Sequence, residues 1–168
     1  MSETRTSLRD YQRQLSARLA NQETRQTISK LGIRAGGELW LVDLADAGEV
    51  IPVPAILPVP LMRQWFRGVA NVRGRLCSVV DFSAFTGRGA VNVDQRSRLL
   101  LIGDHYRVNA GLLVEAVLGL YRDEDFVNGP GLALKWCKAD YKDRQGSLWK
   151  QLDMDSLTSH PEFLQVGI

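Results

Sequence analysis

Apolar residues near the start of the chain recur at the spacing of an α-helix. Residues 7–30 contain neither proline nor glycine, and they carry four apolar side chains three or four positions apart: Leu8, Tyr11, Leu15 and Leu19. That spacing places the four side chains on one narrow face of a helix. Ser7 is a suitable N-cap, and Gly32 is a suitable stop. The pattern predicts a helix whose apolar face packs on the body or on a partner, with a polar extension as the alternative.

From Ile33 onward, short runs of β-branched residues and leucine alternate with turn residues, which is typical of a small all-β protein. Gly36 and Gly37 tolerate the positive φ angles of a tight turn, and a return strand is expected over residues 38–44. Four prolines in residues 51–60 remove backbone donors. That segment is therefore expected to be extended and to cover the sheet without forming a central strand.

The strand pattern continues through the rest of the chain. Further strands are predicted at residues 69–72, 76–82, 98–102, 108–117, 117–121 and 148–152. Arg73, Gly74 and Arg75 form the turn between the first two, and residues 122–147 are expected to form a long loop and one last hairpin. Short helices are predicted from Phe82 and from Leu157. Two consecutive sets of about five strands predict two small β-barrels packed together.

These patterns divide the chain into an N-terminal helical extension (residues 1–31), a β-rich domain (residues 32–160) and a C-terminal tail (residues 161–168). The length of 168 residues and the hydrophobic fraction of 45% suit a folded domain with a sizeable core. The N-terminus has no apolar core of signal-peptide length, and no window approaches the roughly eighteen apolar residues of a membrane span. The expected location is the cytoplasm.

Charge is distributed unevenly although the formal net charge is only +2. Residues 61–100 hold seven arginines and two aspartates, whereas residues 120–168 hold more acidic than basic groups. A basic region facing acidic ends suits oriented docking to a protein partner, although a solvated arginine-rich face would give the same count. Trp65 and Phe66 beside the arginines leave a barrel that stacks single-stranded nucleic acid as an alternative. The small net charge argues against that alternative.

Residues that carry catalytic chemistry are scarce. The chain has two histidines, in a predicted turn and a polar tail, and two cysteines sixty positions apart. It has no C-x-x-C pair, no G-x-S-x-G pattern, and no glycine loop with the lysine and strand-to-helix setting of a phosphate site. We therefore predict a protein that is not an enzyme, with no catalytic residues, no metal ligands and no cofactor; an enzyme of unrecognised chemistry is the alternative.

Residues 66–74, FRGVANVRG, followed by residues 79–82, VVDF, resemble the central signature of the CheW family of chemotaxis coupling proteins. Members of that family carry a G-x-x-N-x-R-G turn and then an apolar strand that ends in Asp-Leu. The resemblance covers roughly residues 33–158. Ser78 stands where the family usually has proline and Glu115 where it usually has aspartate. The Trp- and Lys-rich segment 135–150 and the N-terminal helix are similar to the members that serve type IV pilus chemosensory systems, the PilI type.

The resemblance implies two five-stranded SH3-like β-barrel subdomains that share a hydrophobic core, with an N-terminal helix and a short C-terminal helix. It also implies a non-enzymatic adaptor that bridges the cytoplasmic tip of a methyl-accepting chemoreceptor and the regulatory domain of a CheA-type histidine kinase, at membrane-bound receptor arrays. The adaptor is expected to serve a chemosensory pathway that controls type IV pili, with flagellar chemotaxis as the alternative. It is expected neither to bind nucleic acid nor to insert into a membrane.

The family's receptor-facing arginine falls on Arg73, and its interface glutamate falls on Glu49. Leu99 and Leu100 fall near the edge that completes the receptor groove. The full set of expected receptor- and kinase-binding residues is Glu49, Arg67, Gly68, Asn71, Arg73, Gly74, Leu99 and Leu100.

Overall fold

The computed structural model of the chain describes residues 8–19, 28–132 and 134–167. Helix α1 covers residues 8–19. The strands are β1 (Ile28–Ala35), β2 (Glu38–Asp43), β3 (Ala47–Pro52), β4 (Phe66–Val72), β5 (Arg75–Asp81), β6 (Arg98–Ile102), β7 (Ala110–Val114), β8 (Ala116–Arg122), β9 (Phe126–Asn128), β10 (Cys137–Asp143) and β11 (Leu148–Leu152). The other helices are α2 (Phe82–Phe85), α3 (Met154–Ser159) and α4 (Pro161–Leu164). Within the described ranges, no helix is both long and apolar enough to cross a lipid bilayer.

The strands form two sheets, as the all-β prediction requires. One sheet has the order β8-β1-β2-β11-β10-β9 and the other has the order β3-β6-β7-β5-β4. β2 pairs with β11, and β5 with β7, in parallel, whereas the other pairs are antiparallel. The sheets are not two consecutive sets of strands, because the chain leaves the first sheet after β2 and returns to it at β8. The first sheet has six strands instead of five because β9 adds a short outer strand.

The hydrophobic core predicted between the two subdomains is present and is shared by both sheets. Its members come from both sheets, from α2 and from the C-terminal helices, and include Ile33, Trp40, Leu100, Leu112, Val114, Leu152, Leu157 and Phe163. A second, smaller cluster comprises Ala70, Val79, Val91, Leu99 and Leu113. Because successive side chains of a strand point to opposite faces, one face of β6 and β7 packs in the shared core and the other face packs in the smaller cluster.

The N-terminal helix ends earlier than the sequence pattern predicts. β1 already begins at Ile28, and Gly32 lies inside this strand, where it pairs with Leu41 and Gly119. A Cβ atom on Gly32 would lie 2.4 Å from the ring of Tyr121 and 3.0 Å from that of Trp149. Glycine is therefore required here by aromatic packing from distant strands, and it does not stop a helix. The predictions that fall on residues 1–7 and 20–27, including Ser7 as N-cap, lie outside the described residues.

The C-terminal third is more regular than the predicted long loop. β9 and β10 both fall inside residues 122–147, and β10 pairs with β11 as the expected last hairpin. α3 begins at Met154, three positions before the predicted start at Leu157, because Asp153 caps it by accepting a hydrogen bond from the Ser156 backbone N–H. Much of the predicted loop therefore belongs to the first sheet, as strands β9 and β10.

Candidate docking site

The signature segment forms a tight hairpin whose tip is Arg73-Gly74. β4 and β5 pair up to Val72 and Arg75, so only two residues make the turn. Their φ angles are 52° and 82°, as a type I′ turn requires. The Asn71 side-chain oxygen accepts a hydrogen bond from the Gly74 backbone N–H at 2.8 Å. The turn therefore projects the Arg73 side chain from a fixed backbone, as the sequence predicts.

Arg73 and Glu49 face each other, although 24 positions separate them in the chain. The guanidinium Nη2 of Arg73 lies 2.5 Å from Oε1 of Glu49, and the two side chains are 73% and 42% exposed. An exposed ion pair of this kind contributes only about 0–1 kcal/mol to stability. Its main effect is to orient the guanidinium, whose remaining donors are accessible to a partner.

A cleft of about 310 Å³ lies beside this ion pair. Strands β3, β5, β6 and β7 and the end of β4 surround it, and its lining includes Glu49, Arg73, Arg75, Cys77, Leu101, Asp104, Val108 and Asn109. Charged groups form its rim and apolar groups form part of its floor. Cys77 is buried, and this burial raises the pKa of its thiol. The thiol therefore stays protonated near neutral pH and behaves as an apolar group.

The wall of the cleft that carries Glu49 is held by contacts that the sequence does not signal. The Tyr106 hydroxyl donates to Oδ1 of Asp46 at 2.5 Å, and the Gly103 backbone N–H donates to the Asp46 carbonyl at 2.9 Å. Burial, with the neighbouring Asp46 carboxylate, raises the pKa of Tyr106 above its ordinary value. The hydroxyl therefore remains a donor, and the turn before β3 is fixed against the Asp104–Tyr106 3-10 turn. Tyr106 lies 60 positions from Asp46, which is why no local pattern predicts this contact.

Arg67 and Gly68 lie in the predicted site but face the interior of the domain. Nη1 of Arg67 lies 3.2 Å from Oδ2 of Asp81, and the Arg67 side chain is only 30% exposed. Gly68 is buried with φ 131°, and a Cβ atom there would lie 2.1 Å from the carbonyl oxygen of Leu57. In this structure both residues hold the hairpin against its neighbours and offer a partner little surface.

Leu99 and Leu100 are both 0% exposed. Leu99 belongs to the smaller apolar cluster, and Leu100 belongs to the shared core. The expectation that they lie near the edge that completes a receptor groove stays a prediction; in the described structure both side chains are covered. Leu101, the next residue of β6, lines the cleft instead.

Four of the seven arginines in residues 61–100 are paired with carboxylates. The pairs are Arg67–Asp81, Arg73–Glu49, Arg88–Glu38 and Arg96–Asp94. Each pair lowers the local positive potential on which the nucleic-acid alternative depends. In the part of the chain that the structure describes, no group of three or more His, Cys, Asp or Glu side chains is placed to hold a metal ion.

Comparison with known proteins gives one family. The CheW-like domain model matches residues 30–162. Protein PilI of Pseudomonas aeruginosa PAO1 is 38% identical over 109 residues, which are 64% of this chain and 61% of PilI. Chemotaxis protein CheW of Thermotoga maritima is 33% identical over 81 residues, which are 48% of this chain and 52% of that protein. The matched part of the chain thus spans between half and about three fifths of these relatives.

The fold is also that of a solved relative. The crystal structure of the scaffolding protein TtCheW from Thermoanaerobacter tengcongensis superposes with a TM-score of 0.63 at 20% identity, covering 76% of this chain and 89% of that one. At this identity the similarity concerns the fold alone, and it agrees with the SH3-like barrel prediction. Together these matches confirm the resemblance inferred from the FRGVANVRG segment. The chain belongs to the CheW-like domain family.

Proposed function

We propose that this protein is a non-enzymatic signalling adaptor that couples the cytoplasmic tip of a chemoreceptor to the regulatory domain of a CheA-type histidine kinase. The observation that carries the proposal is the exposed Arg73 guanidinium, held beside a cleft in a CheW-like domain. The similarity to PilI supports a role in a type IV pilus chemosensory pathway. The adaptor acts in the cytoplasm, where membrane-bound receptor arrays recruit it.

The chemistry of the cleft suits the tip of a helical hairpin. Arg73 presents a planar fork of donors that fits a carboxylate or the carbonyl groups at a helix end. Leu101 and Val108 supply apolar surface beside it, and Glu49 and Asn109 supply polar groups at the rim. An apolar floor with a polar rim is typical of protein interfaces. The receptor tip is the partner that we assign to this cleft.

The edges of the sheets suit a second partner built from small barrels. β3 is the outermost strand of the five-stranded sheet, whereas the opposite edge strand, β4, is partly covered by a bridge between Leu57 and Val69. An outer strand presents backbone donors and acceptors that a strand of another protein can pair with. We assign this edge to the regulatory domain of the kinase.

A capture experiment tests the assignment of Arg73. The purified chain is immobilised and offered a receptor cytoplasmic tip and, separately, the C-terminal regulatory domain of a CheA-type kinase. Arg73→Ala should weaken receptor capture by about 10- to 100-fold, as expected for an arginine at the centre of an interface. The matched control is Arg96→Ala, because Arg96 is 79% exposed, pairs with Asp94 and does not line the cleft.

Circular dichroism of each variant separates loss of binding from loss of fold. Unchanged receptor capture by folded Arg73→Ala would contradict the site. Failure of the wild-type chain to capture either partner would contradict the adaptor function itself.

Flagellar chemotaxis is the second candidate pathway, and the similarity to CheW of Thermotoga maritima favours it. The two pathways would supply different receptors and kinases to this chain. Capture assays with receptor and kinase pairs from a pilus system and from a flagellar system, side by side, distinguish them. Stronger capture of the flagellar pair would overturn the pilus assignment while retaining the adaptor function.

A further inference from the structure

Helix α1 carries an apolar face that nothing in the described structure covers. Its four apolar side chains are exposed: Leu8 by 59%, Tyr11 by 61%, Leu15 by 41% and Leu19 by 57%. A helix of this length is only marginally stable alone in water, and its apolar face normally packs on another surface. A stable α1 therefore needs another surface on which these four side chains can pack.

An apolar hollow on the six-stranded sheet offers such a surface. We call it the aromatic groove; its volume is about 450 Å³, and its apolar lining is Leu120, Tyr121, Phe126 and Trp149. The Tyr121 and Trp149 rings are 5.1 Å apart between centroids, and those of Phe126 and Trp149 are 5.6 Å apart. Leu120 at the rim is 57% exposed. The groove therefore has a floor of contacting aromatic rings and an exposed apolar edge.

The two apolar surfaces are joined by a short length of chain. The described part of α1 runs to residue 19, and β1 begins at Ile28, which pairs with Arg122 at the end of β8. Leu120 and Tyr121 of the groove immediately precede Arg122 on that strand. Residues 19 and 28 are nine steps apart along the chain, which span at most about 32 Å. Because the connecting segment ends beside the groove, α1 can reach the groove of its own chain. The short connection also gives α1 a high effective concentration at the groove.

The charges of the two surfaces are of opposite sign. α1 carries three arginines and one aspartate: Arg9, Arg13, Arg18 and Asp10. Asp125, Asp143 and Arg144 line the groove. Arg122, Asp123 and Glu124 directly precede Asp125 in the chain, so the groove and this adjoining segment together hold four carboxylates and two guanidiniums. Asp123 lies 3.7 Å from Nζ of Lys30 and Glu124 lies 3.4 Å from Nη1 of Arg122, and the two acidic side chains remain 75% and 65% exposed. A basic helix is thus attracted to an acidic rim, which orients it as its apolar face enters the groove.

From these observations we propose that α1 binds the aromatic groove of its own chain through the face formed by Leu8, Tyr11, Leu15 and Leu19. The lining of the groove shares no residue with that of the cleft beside Arg73.

NMR spectra of the full-length chain test the proposal. Leu15→Asp places a charge in the apolar face, whereas Ala17→Asp places the same charge on the opposite side of the helix. Burial of a leucine is worth enough free energy that Leu15→Asp should weaken docking by roughly tenfold or more. We expect Leu15→Asp to move the amide resonances of Leu120 and Phe126 and the indole resonance of Trp149. Ala17→Asp should leave them in place.

A variant on the other side of the contact completes the test. Leu120→Asp changes an exposed residue and should leave the barrel folded, but it should speed hydrogen exchange of the amides in residues 8–19. Groove resonances that are identical in the wild-type chain and Leu15→Asp would overturn the proposal. A second result would also overturn it: groove resonances that shift with protein concentration, together with a dimer in sedimentation. The groove would then be occupied by the helix of a second copy.

Discussion

The guanidinium of Arg67 lies 3.2 Å from the carboxylate of Asp81, whose side chain is fully buried. The same carboxylate accepts hydrogen bonds from the backbone N–H groups of Val91, at 2.8 Å, and Ala84, at 3.0 Å. One side chain thereby joins β4, the N-terminus of α2 and the loop before β6. Two conspicuous residues of the signature segment therefore stabilise the hairpin, while Arg73 at its tip is exposed.

Replacement of Asp81 by alanine should destabilise the domain strongly. The change leaves the partly buried Arg67 without its partner and removes the cap of α2, and such losses cost about 3–5 kcal/mol. The free energy of unfolding, measured in urea, gives the value. The control is Glu124→Ala on the surface, which should change it by less than about 0.5 kcal/mol. Equal effects of the two substitutions would show that the Asp81 network has no structural role.

Gly68→Ala should be more harmful than Gly119→Ala, although both glycines have a φ angle that disfavours side chains. The φ angles are 131° and 144°, so backbone strain is similar at the two positions. Only at Gly68 would the new Cβ meet another atom, the carbonyl oxygen of Leu57. We expect an additional loss of roughly 2 kcal/mol at Gly68, measured as a difference in unfolding free energy. Similar losses at both positions would mean that the 51–60 segment shifts easily.

Arg73→Asn should stabilise the fold and weaken receptor capture. Arg73 has φ 52°, a conformation that costs most residues roughly 1 kcal/mol and that asparagine tolerates, especially before glycine in a type I′ turn. We expect a gain in unfolding free energy of up to about 1 kcal/mol. Arg107→Asn, at φ 55°, should give a gain of similar size without removing the guanidinium of the turn. A variant that loses stability would indicate that the ion pair with Glu49 outweighs the strain.

Exchange of the two charges separates the intramolecular ion pair of Arg73 from its proposed role in binding. In the double variant Arg73→Glu and Glu49→Arg, the ion pair can form again, so the unfolding free energy should stay within about 0.5 kcal/mol of wild type. Receptor capture should remain lost, because the partner meets the wrong charge. Recovery of capture in the double variant, relative to Arg73→Glu alone, would mean that Arg73 acts only through Glu49.

Stability should fall in acid in part because of Asp43. Burial by itself raises the pKa of Asp43, but hydrogen bonds from Lys138 and Lys30 outweigh it and leave the pKa below its ordinary value. The Asp43 carboxylate therefore stabilises the folded state at pH values above its unfolded pKa of about 4. This contribution is lost as the pH falls through the lower pKa of the folded state.

The measurement compares wild type with Asp43→Asn in urea at several pH values. The difference in unfolding free energy should be constant above about pH 5 and should shrink as the pH falls below about 4. Lys138→Gln, which removes one partner of the carboxylate, should reduce the part of the difference that depends on pH. A difference that is the same at pH 3 and pH 7 would contradict this account.

Local patterns were sufficient to predict the parts of the site that depend on neighbouring residues. The two-residue turn at Arg73 and Gly74, the return of the chain at Gly36 and Gly37, and the short helix after Asp81 all follow from residues within a few positions of one another. In each of them a glycine takes up a positive φ angle or a carboxylate caps a helix. These interactions span one turn, so the sequence alone specifies them.

The leucines of β6 show where local patterns are insufficient. Residues 99–101 are three consecutive leucines, and an unbroken apolar run does not reveal which side chain faces which layer. The structure buries Leu99 and Leu100 in different clusters and leaves Leu101 at the cleft. That outcome depends on the sheets that cover both faces of the strand.

The sequence by itself determined the all-β class, the hairpin that carries Arg73 and membership in the CheW family. Tertiary structure alone decided that Glu49 meets Arg73, that Gly32 lies beneath Tyr121 and Trp149, and that β2 pairs with β11 in the first sheet. The physical reason is the range of the interactions. Turns and caps are satisfied within a few residues, whereas ion pairs, ring contacts and parallel strand pairs form only when distant segments have been brought together by the core.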